Sequence, residues 1–179
     1  FGSWGITTND SATGTIRFSI GFTDGTNFYS HCITDKNNGA LPTTSGSRIG
    51  SKVITLCVNN GGGARGEADF VSWNSTDFTI NWTTAPTANS GINYMILGGD
   101  EVQTKVFTWT TPTAAGNKSV TGVGFQPDVV ILIGSALTTI PSSTDSNMTR
   151  GIGVFDKNGG QWTLSYYHDA NGSTTVSKR

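Results

Sequence analysis

Hydrophobic and polar residues alternate with period two along most of this chain, and no stretch carries the 3.6-residue period and cap of an amphipathic helix. In Phe78-Thr-Ile-Asn-Trp-Thr the alternation sets Phe78, Ile80 and Trp82 on one face and Thr79, Asn81 and Thr83 on the other. Residues 53–58, interrupted only by Thr55, and 129–133 are near-continuous apolar runs, the pattern of strands buried on both faces. Residues 92–97 and 104–109 also read as strands. Turn residues separate these runs at Asp24-Gly25, 60–63, Gln126-Pro127-Asp128, Asn158-Gly159-Gly160 and Asn171-Gly172. Many short strands spaced by such turns predict an all-β fold, an antiparallel β-sandwich of jelly-roll-like type.

A set of features recurs in the same order. Phe1-Gly-Ser is followed by Thr15-Ile-Arg-Phe-Ser-Ile-Gly-Phe-Thr-Asp-Gly-Thr-Asn-Phe28, and Ile133-Gly-Ser by Thr149-Arg-Gly-Ile-Gly-Val-Phe-Asp-Lys-Asn-Gly-Gly-Gln-Trp162. Each copy then continues through an aromatic strand and an Asp-led turn, at Asp35 or Asp169, to Ser47-Arg48 or Ser177-Lys-Arg179. The offset is about 133 residues, longer than the usual short-repeat periods of roughly 20–50. This order predicts an internal repeat, with residues 1–103 holding a middle and a trailing segment and residues 104–179 a leading and a middle segment. Each repeat is then incomplete at a chain end, and an incomplete sandwich leaves a strand edge and an apolar face to be covered. The expectation is completion by a neighbouring subunit through strand exchange, by further repeats, or by packing of 133–179 onto a permuted sandwich formed by 1–132.

Composition narrows the partners. The chain has 179 residues with 11 Lys+Arg against 12 Asp+Glu, and only 13% of residues are charged, about half the usual share. There is no basic excess for a phosphate backbone, so no nucleic acid is expected as a partner. No apolar run approaches the ~20 residues of a membrane span. Five Trp, nine Phe and four Tyr supply enough apolar area for a core. The chain opens Phe1-Gly-Ser-Trp, without Met or a basic leader, which reads as a processed chain or a fragment. Sequons occur at Asn9, Asn74, Asn81, Asn117, Asn147 and Asn171, the number that an Asn/Ser/Thr-rich chain produces by chance.

Candidate chemistry is sparse. Cys32 and Cys57 lie in strand-like runs and read either as small core residues or as a disulfide, which requires Cα atoms within roughly 7 Å. Neither His31 nor His168 has the spacing to a cysteine pair that a zinc site needs. Glu67, Asp69, Asp77, Asp100 and Glu101 are the acids outside turns, whereas Asp24, Asp35, Asp156 and Asp169 read as turn residues. Glu67 and Asp69 share one strand face, a weak cation site at most. The 61–66 Gly-rich stretch lacks the Lys-Ser/Thr of a phosphate loop and reads as a hairpin loop. No catalytic residue, cofactor or metal site is expected. The aromatics Trp73, Trp109, Trp162, Tyr166 and Tyr167 are the candidates for a glycan platform or an interface, against the plainer role of core packing. Tyr166 and Tyr167, if in one strand, point to opposite faces.

Two stretches resemble a repeat of structural proteins of tailed bacteriophages and environmental viruses. Residues 107–135 contain Val120-Thr-Gly-Val-Gly-Phe-Gln-Pro-Asp-Val-Val-Ile, similar to the pattern that opens a unit. Residues 68–99 contain Phe78-Thr-Ile-Asn-Trp-Thr and Tyr94-Met-Ile-Leu-Gly-Gly, similar to the pattern that closes one. The chain departs from the pattern at Thr76-Asp77, where Gly would precede Phe78. The resemblance implies a non-enzymatic virion component, a tail-fibre or capsid-decoration module on the virion surface, assembling with itself or with other virion proteins. A carbohydrate-binding adhesion module recognising a host-surface glycan, and a subunit of a cellular extracellular filament, are the alternatives.

Overall fold

The structure, a computed structural model, describes residues 2–4, 15–36, 45–58, 63–87, 89–137, 143–145 and 148–168. Eleven strands and no helix occur among them: β1 (Gly2–Trp4), β2 (Thr15–Thr23), β3 (Phe28–Lys36), β4 (Ser45–Gly50), β5 (Ile54–Cys57), β6 (Ala64–Trp73), β7 (Phe78–Thr84), β8 (Val129–Gly134), β9 (Ser143–Asp145), β10 (Met148–Asp156) and β11 (Gln161–His168). They form a five-stranded sheet in the order β1-β2-β3-β4-β9 and two three-stranded sheets, β5-β6-β7 and β11-β10-β8. Every pairing is antiparallel. No helix among the described residues is long and apolar enough to cross a membrane.

The register gives the five-stranded sheet two chemically different faces. Ser19 lies opposite Cys32, Gly21 opposite Ser30 and Cys32 opposite Arg48, so one face is built of small, mostly polar side chains. Phe18, Ile20, Phe22, Tyr29, His31, Ile33 and Ile49 occupy the other face. Strand β5 lies on the small face. Ser19 Oγ donates to the Thr55 carbonyl, and the Ser30 and Thr55 hydroxyls share a hydrogen bond of 2.6 Å. Gly21 permits the approach: a Cβ at that position would stand 1.9 Å from the Val53 carbonyl oxygen. Cys32 and Cys57 are joined in a disulfide with Cα atoms 6.0 Å apart, which ties β5 to β3. Two ion pairs flank this seam, Arg48 to Glu67 at 2.9 Å and Lys52 to Asp69 at 2.8 Å.

The hydrophobic core sits around β5 and β6. Val53, Ile54, Leu56, Ala68 and Phe70 are buried, with Phe28, Phe78, Ile80, Trp82 and Ile92 packed against them. Each fully buried aliphatic or aromatic side chain of this kind contributes about 1.5–3 kcal/mol. In β7 the odd and even positions alternate between exposed and half-buried, following the apolar and polar pattern of 78–83.

The two apolar runs meet different fates. All four residues of β5 are buried, between the five-stranded sheet and the core. Strand β8, whose composition predicts the same double burial, is exposed at four of its six positions. Residues 92–97 and 104–109 form no ladder, apart from a single bridge at Asn93. Alternation supplies a strand with faces but not with a neighbour, and these segments serve as cover instead. Ile92 packs on the core, and the Val106 N–H donates to the Asp24 carboxylate at 2.9 Å. Asp35, read as a turn residue, lies within β3 opposite Ile16 and Ser45. The turn at Asp169, the loop at 59–62 and the closing Ser177-Lys-Arg179 lie outside the described residues.

Candidate functional site

The β6–β7 hairpin is closed by Asn74, whose N–H donates to the Asp77 carbonyl at 2.9 Å. The Asn74 side-chain amide donates to the Asp77 carboxylate and, at 3.2 Å, to the Thr79 hydroxyl, while the amide oxygen accepts from Ser72. This turn fixes the ends of both strands and holds a chain of rings beside them. Phe70 and Trp73 have centroids 4.8 Å apart, Trp73 and Phe78 6.1 Å, and Phe78 and Tyr94 5.4 Å, the last two edge to face. Phe70 belongs to the core, whereas Trp73 and Tyr94 are 49% and 61% exposed. The row therefore runs from the interior to solvent. The indole of Trp73 also lies over the β2–β3 turn, where a Cβ on Gly25 would come within 2.8 Å of Nε1. Gly25 adopts φ 90°, a conformation that excludes most side chains in any case.

That neighbouring turn is organised by Asp24. Its carboxylate accepts from the N–H groups of Thr26 and Asn27 at 2.9 and 2.7 Å, from the Asn27 side chain, and from Val106. Partial burial alone would raise this carboxyl, but the hydrogen bonds from Asn27, Val106 and Thr26 outweigh it and hold the group at about 2. Exposed rings beside fixed amide and carboxylate groups can stack on the face of a sugar and hydrogen-bond its hydroxyls.

The other candidate aromatics are dispersed. Trp162 and Tyr166 share one face of β11, across from Val154 and Arg150, and Tyr167 occupies the opposite face. Trp162 is 62% exposed, Tyr166 is half-buried, and Trp109 lies exposed in the irregular segment after residue 84. Asp100 and Glu101 are exposed, and Asp77 belongs to the hairpin turn. Glu67 and Asp69, the pair considered for a cation, are taken by Arg48 and Lys52. Among the described residues no three His, Cys, Asp or Glu side chains gather as a metal site would require. The sequons at Asn74, Asn81 and Asn117 are exposed, and those at Asn9, Asn147 and Asn171 lie outside the described residues.

Sequence reasoning missed a contact between sheets. The Arg150 guanidinium carbon stands 3.6 Å from the centroid of the Phe18 ring, joining β10 to the apolar face of the five-stranded sheet. His31 is buried on that face, between Ile20 and Ile49 in the register, and both its ring nitrogens lack a hydrogen-bond partner. Burial and the nearby Arg150 charge push its pKa down to about 4, so it is neutral at pH 7. A lone histidine in an alternating strand gives no sign of this, because the cation arrives from residues more than a hundred positions away.

No family model, curated protein or solved structure matches the chain.

Proposed function

We propose that the protein is a non-enzymatic structural β-module of a virion surface, a tail-fibre or capsid-decoration component that assembles with itself or with other virion proteins. The observation that carries this reading is the β8–β10–β11 sheet, which presents Val129, Ile131, Trp162 and Leu164 at 50–67% exposure. Contiguous apolar surface of that kind marks an interaction site rather than a solvated exterior. Low charge supports the same reading, since surfaces that pack in arrays then meet with little electrostatic repulsion. The Cys32–Cys57 disulfide fits a setting outside the reducing cytoplasm.

An internal repeat, with 1–103 and 104–179 as its two parts, belongs to the proposal. Its support is the parallel between β1-β2-β3 and β8-β10-β11, each a central strand flanked by a preceding strand and a hairpin partner. In both hairpins an aspartate, Asp24 or Asp156, accepts from the turn N–H groups, and a glycine, Gly25 or Gly159, takes φ near 90°. Immunogold labelling of particles from the source culture, with an antibody against the recombinant chain, tests the reading. Decoration of virion surfaces or tails is expected; labelling confined to cell walls or cellular filaments overturns it.

A second reading, an adhesion module that binds a glycan, is favoured by the Trp73–Phe78–Tyr94 row and the adjacent Asn74 and Asp77 side chains. It predicts glycan-array signals that Trp73→Ala reduces at least tenfold, and an array without signals removes it.

A further inference from the structure

We infer that the face of the β8–β10–β11 sheet carrying Ile131, Ile133, Ile152, Val154, Trp162 and Leu164 is an interface that closes against the same face of a second copy of this chain. The inference rests on the reading of the protein as a self-assembling module and names the surface used. The register aligns these six residues in two rows across three strands, Ile131–Val154–Trp162 and Ile133–Ile152–Leu164. No charged or polar side chain interrupts either row. An apolar row three strands wide is what the inner face of a β-sandwich presents to its opposing sheet, about 10 Å away.

The comparison with β5 shows that this face is unfinished. Strands β5 and β8 both come from near-continuous apolar runs, yet β5 is wholly buried, whereas on this face of β8 Val129 and Ile131 are exposed and Ile133 is half-buried. Arg150 docks one end of β10 on Phe18, while Trp162 and Leu164 remain more than 60% exposed. Val129, Ile131, Trp162 and Leu164 together leave on the order of 400–500 Å² of apolar surface in water, roughly half of the ~800 Å² that each partner contributes to a standard interface. A partner as broad as a sheet is required.

A second copy meets that requirement. A two-fold axis running along β10 through the face sets each apolar row against itself, with Arg150, Tyr166 and Asp156 of the same face lying beyond the two rows. The chain carries a net charge of only −1, which gives two copies little reason to repel. Lys157, at the rim, is already paired with Asp128 at 2.6 Å. Among the described residues, then, this lysine is not a free cation of the kind by which an amphipathic surface engages an anionic bilayer.

Sedimentation equilibrium of the full chain tests the inference. The wild type is expected to sediment at twice 18.8 kDa at micromolar concentration, and Leu164→Asp to raise the dissociation constant at least tenfold. Met95→Asp, at a residue 76% exposed on a different segment, should leave the equilibrium unchanged. Should Leu164→Asp fail to fold by circular dichroism, Val154→Cys provides the readout, because Val154 lies on the central strand β10, where the two-fold brings its thiols together and oxidation should trap a covalent dimer. A wild type that stays monomeric at 100-fold higher concentration, or a dimer that Leu164→Asp does not perturb and Val154→Cys does not trap, overturns the inference. So does a monomer that co-floats with uncharged phosphatidylcholine vesicles, which would assign the face to lipid. A dimer through this face without labelling of virus particles leaves the interface standing and removes the virion reading alone.

Discussion

Gly21 and His31 show how much of the five-stranded sheet is decided by single side chains. At Gly21 any Cβ overlaps the Val53 carbonyl, so the seam with β5 can close only over glycine. Gly21→Ala is expected to cost about 3 kcal/mol, the upper range for overpacking, read as a lowered urea midpoint with little change in slope. His31 carries the opposite lesson, since it is buried without a partner for either nitrogen. Its folded pKa of about 4 lies below the ordinary 6.5, so the unfolded chain takes up the proton first. Stability present above pH 6.5 is therefore lost as pH falls towards 4. His31→Leu should flatten that slope and, by removing an unsatisfied buried group, stabilise the protein by about 1 kcal/mol at pH 7. Thermal unfolding across pH 4–7 measures both effects. A variant as pH-sensitive as the wild type would show that the slope arises elsewhere.

At the scale of elements, β5 is held by chemistry from several sources at once. Its outward residues join the core, its Thr55 bonds Ser19 and Ser30, and its last residue is cross-linked to β3. The disulfide closes a span of 25 residues, for which chain entropy gives about 3–4 kcal/mol. Unfolding in urea with and without reductant should differ by that amount, and Cys57→Ser should behave like the reduced protein. The Asp24 turn acts over a longer range, because one carboxylate caps the β2–β3 hairpin and also holds Val106. Its depressed pKa means that this stabilisation is present above pH 3.8 and lost as pH falls through about 2. Asp24→Asn is expected to remove the acid sensitivity in that window and to speed amide exchange at Val106 already at pH 7.

For the molecule as a whole, the distribution of apolar surface matters more than its amount. One apolar run is sealed and the other is left open, and the exposed residues of β8 and β11 stand on the same sheet. If that sheet closes against a second copy, folding and association are linked, and the melting temperature must rise with protein concentration. Differential scanning calorimetry over a 100-fold concentration range should show this rise for the wild type and none for Leu164→Asp. A concentration-independent midpoint in the wild type would overturn the two-fold contact, because association of the native state cannot leave the midpoint fixed.

The sequence by itself determined the all-β class, the alternation of β7 and the apolar character of β5 and β8. Each follows from local period and composition, which a strand expresses wherever it lies. It also marked Asp24 and Asp156 as turn residues, because an aspartate opening a run of Gly and Asn bonds its own backbone. It left Cys32 and Cys57 open between two roles, and it made strands of 92–97 and 104–109. Tertiary structure decided those points: a disulfide needs two strands brought within 6.0 Å, and a strand needs a neighbour with a free edge. The ledge of Trp73, Phe78 and Tyr94, the pairing of Glu67 with Arg48 and of Asp69 with Lys52, and the burial of His31 under Arg150 are likewise invisible in one dimension. They depend on which sheet lies over which face, and alternation fixes the faces of a strand without saying what will cover them.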